Sequence, residues 1–91
     1  MTAVVHLLIT GRVQGVGFRW FVRVAARQLQ LSGWVMNRMD GSVEIVAGGA
    51  GEKLEELRKR VGRGPGGAWV IEVRDLEPWA EDLEFPFVMR K

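Results

Sequence analysis

The chain has 91 residues, of which 47% are hydrophobic, and a formal net charge of +2. Such a length fits one domain, residues 1–91, and the hydrophobic share is enough for a packed core rather than a disordered chain. A charge this small also argues against a nucleic-acid partner, which usually meets a concentrated basic face.

The composition excludes several kinds of functional site. The chain contains no cysteine and a single histidine, which excludes disulfides, thiolate nucleophiles and metal sites built from several Cys or His residues. No apolar run is long enough to cross a membrane and no signal peptide is recognisable, so we expect a cytoplasmic protein with no membrane contact. The scarcity of asparagine and the absence of cysteine are also weakly typical of heat-adapted proteins.

The chain begins with a predicted strand, a glycine-rich loop and a helix. The β-branched run at residues 3–9 predicts the strand, and "GRVQGVGFR" at residues 11–19 follows it. Apolar residues then recur at helical spacing. They are Phe18, Phe21, Val22, Ala25, Ala26 and Leu29. We expect Ser32-Gly33 to end this helix.

A hairpin is predicted next, with Asp40-Gly41 as its turn. A tight two-residue loop would place Met39 opposite Ser42. One face would then carry Trp34, Met36, Val43 and Ile45, and the other Val35, Asn37 and Glu44. A bulge in the turn would shift this register, so the facing of Asn37 stays open at this point.

The second half of the chain predicts a helix and two strands. Residues 52–62 place Leu54, Leu57 and Val61 on one stripe, with acidic residues first and basic residues last, as the helix dipole favours. We expect the glycines at 62 and 64, with Pro65, to end it. Residues 68–76 predict a strand with Trp69, Ile71 and Val73 on one side. Pro86 indicates that the last segment, residues 83–90, is an edge strand.

The order strand, helix, strand, strand, helix, strand predicts an α+β fold of the ferredoxin-like βαββαβ type. In that fold two helices pack on one face of a mostly antiparallel sheet, here with a short extra C-terminal edge strand. The fold by itself does not specify a function, because many unrelated proteins share it.

The start of the first helix is unusual. It has no Ser, Thr, Asp or Asn to cap it, and Arg19 stands in its first turn, where the helix dipole favours a negative charge. Glycines at 15 and 17 allow the backbone amides to converge on an anion, which predicts a phosphate cradle at a helix N-terminus. The alternative is a tight strand-to-helix turn with a surface arginine. The loop lacks the Gly-Lys-Ser/Thr of a nucleotide P-loop and the third glycine of a dinucleotide fingerprint.

Three segments together resemble the acylphosphatase family: "GRVQGVGFR", "SGWVMNRMDGSVE" and "GPGGAWVIEV". The resemblance covers essentially the whole chain. It implies hydrolysis of a small acyl phosphate to a carboxylate and inorganic phosphate, with no metal and no cofactor. Trp20, Gln30 and Met36 depart from the residues common at those positions, and none of the three matches a position with a catalytic role.

The resemblance also implies the role of each site residue. Arg19 binds the phosphate with its side chain, and Asn37 positions the attacking water. Backbone amides hold the phosphoryl oxygens. These amides belong to Gly15, Val16, Gly17, Phe18 and Arg19.

The remaining polar and aromatic residues are assigned to the fold or the surface. Arg23 and Arg27 are interpreted as a solvated helix face, and Glu44 as an ordinary polar residue at the surface. His6 is interpreted as structural, and Trp34 and Trp69 are interpreted as core residues.

Two other functions were weighed against acyl phosphate hydrolysis. An RNA-binding module would need aromatic residues on its central strands, and "SVEIVA" offers none. An accessory domain that binds phosphate or carbamoyl phosphate without useful turnover remains the main alternative. For the enzyme we expect a monomer.

Overall fold

Residues 2–91 fold into five strands and two helices. A computed structural model describes residues 2–91. The elements are β1 (Thr2–Arg12), α1 (Phe18–Gln28), β2 (Ser32–Asn37), β3 (Val43–Ala50), α2 (Gly51–Arg63), β4 (Trp69–Asp75) and β5 (Val88–Arg90). This order confirms the predicted ferredoxin-like arrangement.

The five strands form one sheet in the order β4-β1-β3-β2-β5. Neighbouring strands run antiparallel, except that β5 runs parallel to β2. The predicted C-terminal edge strand is therefore confirmed, but it spans only Val88–Arg90 and not residues 83–90, and Pro86 lies before it. Because β1 and β3 are antiparallel neighbours, the loop that leaves β1 and the turn that enters β3 lie at the same end of the sheet.

The core lies between the helices and one face of the sheet. Alternate residues of the strands supply its lower layer, as a half-buried sheet requires. Those with no exposed surface include Leu7, Ile9, Val35, Val43 and Ile45. The helices supply the upper layer. Phe18 and Val22 of α1 contribute to it, and so does the predicted stripe of α2. The three residues of that stripe, Leu54, Leu57 and Val61, are all buried. Arg60 also joins the helices, because it bonds Glu56 on its own helix and Gln28 on α1.

The first helix ends earlier than predicted. It stops at Gln28, and Ser32-Gly33, expected to break it, already belong to β2. The Leu31 amide donates to the Ala26 carbonyl and the Gln30 amide to the Arg27 carbonyl, which is the Schellman pattern of a helix C-terminus. That pattern needs a left-handed residue, and here Gln30 adopts it with φ 57°. The second helix ends one residue later than expected, since Gly62 lies inside it and Gly64 caps it.

The hairpin register differs from the tight-turn prediction by one residue. Asn37 pairs with Val43 and Val35 with Ile45, so Asn37 lies on the helix-covered face of the sheet. The turn contains Gly41 with φ 95°, and it closes with the Arg38 amide donating to the Ser42 carbonyl. This is a three-residue loop with a left-handed glycine. Its extra residue shifts the pairing by one, so that Val35 and Asn37 share a face with Val43 and Ile45 instead of with Glu44.

Ser42 and Asp40 stabilise that turn. The backbone amide and the hydroxyl of Ser42 both donate to Oδ1 of Asp40, and these bonds hold the pKa of Asp40 below its ordinary value. A lowered pKa means that the contact is fully present above the ordinary carboxyl range and is lost as the pH falls through the folded-state pKa.

The facing predicted for β4 is wrong. The pairing of β1 with β4 shifts between Thr10 and Gly11, and this bulge breaks the two-residue alternation. Val70 and Val73 pack against the core, whereas Trp69 and Ile71 are 71% and 73% exposed. Trp69 is therefore a surface residue of the edge strand.

The C-terminal segment covers part of the face opposite the helices. The ring of Trp79 packs edge-on against both His6 and Trp34. The guanidinium of Arg90 lies over the Trp34 ring, 4.7 Å from its centroid. Trp34 is thus buried as predicted, but on this second face.

Replacing Gln30 by glycine is expected to stabilise the protein. A left-handed residue with a Cβ is strained, and glycine relieves that strain by about 1 kcal/mol net of its larger unfolded-state entropy. For a domain of this size the melting temperature should rise by about 4–8 °C. Gln30→Ala is the matched control, since alanine keeps the Cβ. An equal rise in both variants by thermal denaturation would show that strain at this position is not the cause.

Candidate functional site

The loop between β1 and α1 leaves the end of α1 open. Gly17 caps the helix in the left-handed conformation, with φ 76°, no side-chain hydrogen bond caps it, and no acidic residue stands in the first turn. The prediction of an uncapped helix start is therefore confirmed. The first N–H groups of a helix have no partner within it, and the dipole makes this end positive. The end of α1 therefore suits an anion.

Arg19 stands in this first turn and is held from the opposite side of the site. Its Nη1 donates to the main-chain carbonyl of Arg90 on β5, at 2.7 Å. A guanidinium carries five N–H donors in a planar fork, so one bond orients the group and leaves other donors for a ligand. The C-terminal edge strand thereby sets the direction of the charge beside the uncapped helix end.

Asn37 is the last residue of β2 and lies half-buried at the same end of the sheet. Its Oδ1 is buried without a hydrogen-bond partner among residues 2–91. An unsatisfied buried acceptor costs about 1–3 kcal/mol, so such an atom is usually bonded by a water or a ligand.

These groups border one cavity of about 240 Å³. It is lined by Val13, Gln14, Gly15, Gly17, Phe18, Arg19, Trp20, Asn37 and Met89. The fold thus brings together Arg19 and Asn37, which are 18 positions apart in the sequence. Val16 is the one residue of the predicted set that does not line the cavity, since its side chain lies in a neighbouring groove.

Sequence reasoning missed Gln14. Its Nε2 donates to the Arg38 carbonyl at 2.8 Å and to the Ser42 carbonyl at 2.9 Å. Both hydrogens of the amide are used, and they join the glycine loop to the turn that follows Asn37. The only hint in the sequence was a long polar side chain within a loop otherwise poor in side chains. Gln14 therefore sets the distance between the uncapped helix end and Asn37.

Glu44 lies away from the cavity, on the opposite face of the sheet. Its carboxylate lies 2.6 Å from Nε2 of His6 and 3.4 Å from Nη1 of Arg38. The other ring nitrogen of His6 lies 2.7 Å from the Glu77 carbonyl oxygen. The interpretation of His6 as structural agrees with these contacts. Glu44, which was expected at the surface, is instead largely buried in its pair with His6.

The two arginines predicted to form a solvated face of α1 make specific contacts. Arg27 donates through Nε to the Phe87 carbonyl at 2.8 Å, which ties α1 to the segment before β5. The guanidinium of Arg23 lies over the Trp20 ring, 4.6 Å from its centroid. Arg27 thus helps to hold β5 in place, and the Arg90 carbonyl of β5 accepts the hydrogen bond from Arg19.

A family model described as acylphosphatase matches residues 5–86 of the chain. The chain belongs to the acylphosphatase family. Members of this family hydrolyse acyl phosphates to a carboxylate and inorganic phosphate, so the predicted enzyme class is confirmed.

Individual relatives support the same assignment. An acylphosphatase of Koribacter versatilis is 55% identical over 73 residues, which cover 78% of this chain and 66% of the relative. An acylphosphatase of Acidiphilium cryptum is 45% identical over 86 residues, covering 93% of this chain and 92% of the relative. The crystal structure of acylphosphatase from Bacillus subtilis matches with a TM-score of 0.91 at 35% identity and covers 100% of both chains. The matches that cover 92% of the Acidiphilium cryptum relative and 100% of the Bacillus subtilis chain disfavour the accessory-domain alternative.

Two further observations concern the described part of the chain. Among residues 2–91, no three His, Cys, Asp or Glu side chains are grouped so that they could bind a metal ion. No helix in this range combines the length and the apolar character that a membrane crossing requires.

Removing the Gln14 amide is expected to lower turnover by displacing Asn37, the residue predicted to position the attacking water. Gln14→Met keeps the length of the side chain but removes the hydrogen bonds that Gln14 donates to the two carbonyls of the turn. We expect kcat to fall about tenfold, because a small displacement of a positioning group is costly in rate. The inhibition constant of inorganic phosphate should change by less than about threefold, since the helix end and Arg19 are untouched.

A double-mutant cycle tests whether Gln14→Met lowers kcat by acting on Asn37. In an Asn37→Ala background, Gln14→Met should add little, because both changes remove the same positioned group. Equal losses in the two backgrounds would contradict a role that acts through Asn37.

Proposed function

We propose that the cavity between the glycine loop and Asn37 is the site of acyl phosphate hydrolysis. In this proposal the side chain of Arg19 binds the phosphate and Asn37 orients the attacking water. The phosphoryl oxygens bind backbone amides of Gly15, Val16, Gly17, Phe18 and Arg19. The observation that carries the proposal is the unbonded Oδ1 of Asn37, which borders the same cavity as the uncapped helix end.

Electrostatics favour a phosphoryl group at this position. The positive end of the α1 dipole and the guanidinium of Arg19 act on the same small volume. In phosphoryl transfer, negative charge is spread over the three equatorial oxygens, and stabilising it is the main catalytic requirement. Donors that are already held in place provide this stabilisation without reorganising during the reaction.

The proposed role of Asn37 follows from its side-chain oxygen, which accepts hydrogen bonds and carries no charge. Its Oδ1 accepts a hydrogen bond from a water and thereby turns a lone pair of that water toward phosphorus. A carboxylate in this place would repel the phosphoryl group, whereas an amide orients the water without charge.

The step balances without a cofactor. The water oxygen forms a bond to phosphorus while the bond between phosphorus and the acyl oxygen breaks. The carboxylate departs with that electron pair. It is a good leaving group, so it needs no general acid, and the proton lost by the water passes to an oxygen of the phosphate.

The proposal also includes the domain organisation, the oligomeric state and the cellular location of the protein. A single domain of residues 1–91 that acts as a monomer fits a site built entirely within one chain, and the cysteine-free composition supports a cytoplasmic location. Light scattering on a size-exclusion column should give a mass near 10.2 kDa at all concentrations. A constant mass of twice that value would contradict the monomer.

Two substitutions should separate binding from turnover. Arg19→Ala is expected to weaken phosphate inhibition and to lower kcat/KM by about 10³, because a donor to the charged oxygens is lost. Asn37→Ala is expected to lower kcat by about 10²–10³ and to leave phosphate inhibition nearly unchanged. Phosphate release from benzoyl phosphate, measured with a chelator present, checks both.

Arg74→Ala is the matched control for charge. Arg74 lies on β4, pairs with Glu72 and is exposed, so its removal changes the net charge equally without touching the cavity. Equal loss of phosphate binding in the Arg19 and Asn37 variants would refute the division of roles. A folded wild type with no turnover would support the accessory-domain alternative instead.

A further inference from the structure

We propose that Met89 is a site of oxidation by peroxide, and that its sulfoxide weakens phosphate binding in the cavity of the proposed active site. This inference rests on the proposed function, because it concerns the same cavity, and it adds a modification that lowers the activity reversibly. Met89 lies on β5 and lines this cavity together with Arg19 and Asn37. We call it the phosphate cavity.

The register of β5 directs the side chain of Met89 into the phosphate cavity. In the parallel pairing of β5 with β2, Met89 lies opposite Val35. Side chains at the same position of neighbouring strands lie on the same face of a sheet. Val35 is fully buried in the core under the helices. The thioether of Met89 therefore lies on the helix-covered face, where Gly17 and Phe18 at the uncapped end of α1 line the same space.

A small oxidant in solution can reach this thioether. Met89 is 38% exposed, and the sulfur of methionine is polarizable and is converted to a sulfoxide by oxidants. Among the residues that the structure describes, the other two methionines, Met36 and Met39, line a different groove beside the hairpin turn. Oxidation of Met89 therefore changes the phosphate cavity, whereas oxidation of the other two does not change its lining.

The oxidation step balances with hydrogen peroxide as the oxidant. A lone pair of the Met89 sulfur attacks one peroxide oxygen, so that an S–O bond forms while the O–O bond breaks. The sulfur loses two electrons and the peroxide gains them. The departing hydroxide takes the proton of the transferred oxygen and leaves as water. The product is methionine sulfoxide, which methionine sulfoxide reductases convert back to methionine.

The sulfoxide oxygen competes with phosphate for the same hydrogen-bond donors. These donors are the N–H groups at the uncapped start of α1 and those of Arg19 that its bond to the Arg90 carbonyl leaves free. A sulfoxide is polar, unlike the thioether it replaces. Because it is attached to the wall of the cavity, it reaches the donors at a high effective concentration. Phosphate has to displace it before binding.

The test follows phosphate affinity during treatment of the protein with hydrogen peroxide. Peptide mapping by mass spectrometry quantifies the sulfoxide at each methionine, and calorimetric titration gives the dissociation constant of inorganic phosphate. We expect this constant to rise about tenfold when Met89 is fully converted, since a hydrogen bond from a charged donor must be displaced. The value of kcat/KM for benzoyl phosphate should fall by a similar factor. Methionine sulfoxide reductases should restore both.

Met39→Leu is the matched control. Met39 is more exposed than Met89 and does not line the phosphate cavity, so this variant should lose phosphate affinity on oxidation as the wild type does. Met89→Leu should keep the affinity that it has before treatment, because leucine has no sulfur. Met89→Gln places a permanent polar group at this position and should bind phosphate more weakly than Met89→Leu. Saturating phosphate should slow the oxidation of Met89 in the wild type but not that of Met39.

The outcomes separate this inference from the proposed function. An untreated wild type that binds phosphate but does not hydrolyse benzoyl phosphate would refute the function, and the titration would still test the inference. Absence of phosphate binding would overturn both. Phosphate affinity that stays unchanged after full conversion of Met89, or that falls equally in treated Met89→Leu, would refute the inference alone. Resistance of Met89 to peroxide under conditions that oxidise Met39 would also overturn it.

Discussion

The unsatisfied amino terminus of α1 is the constraint on which the rest of the site depends. A helix end with no cap, a left-handed glycine before it and an arginine in its first turn is locally unfavourable in the absence of an anion. The surrounding structure compensates for this. The carbonyl of Arg90 orients the guanidinium of Arg19, and Gln14 joins the glycine loop to the next turn. In the proposed function, local instability at this end is the physical basis of phosphate affinity.

The C-terminal segment links the two faces of the sheet to this site. Trp79 packs against Trp34 on the face opposite the helices, and Arg90 lies over the same indole. The strand that carries Arg90 also supplies the carbonyl that Arg19 binds. The packing of Arg90 on Trp34, on the face opposite the helices, therefore helps to fix the position of the Arg19 guanidinium on the other face. Arg27, which bonds the Phe87 carbonyl, supports the same strand from α1.

Much of the fold follows from patterns within short segments. The stripe of Leu54, Leu57 and Val61, for example, is set by the helical period. The predictions failed where one residue in a left-handed or bulged conformation shifts the pattern. Gly41 moves the hairpin register, and the bulge opposite Gly11 exposes Ile71. Such a shift depends on backbone angles that are decided by the pairing of distant strands, so the local pattern does not reveal it.

The sequence by itself determined the family, the order of the elements and the identity of the candidate residues, because its glycine loop and hairpin motif are continuous segments. Only the tertiary structure decided which groups meet. It placed Asn37 on the helix-covered face, removed Glu44 to the other face and revealed the two bonds of Gln14. It also placed Trp20 and Val24 beside Pro65, which lies more than 40 positions away in the sequence. The physical reason is that side-chain facing and long-range contacts depend on strand register and helix packing, and both are fixed only when the whole core assembles.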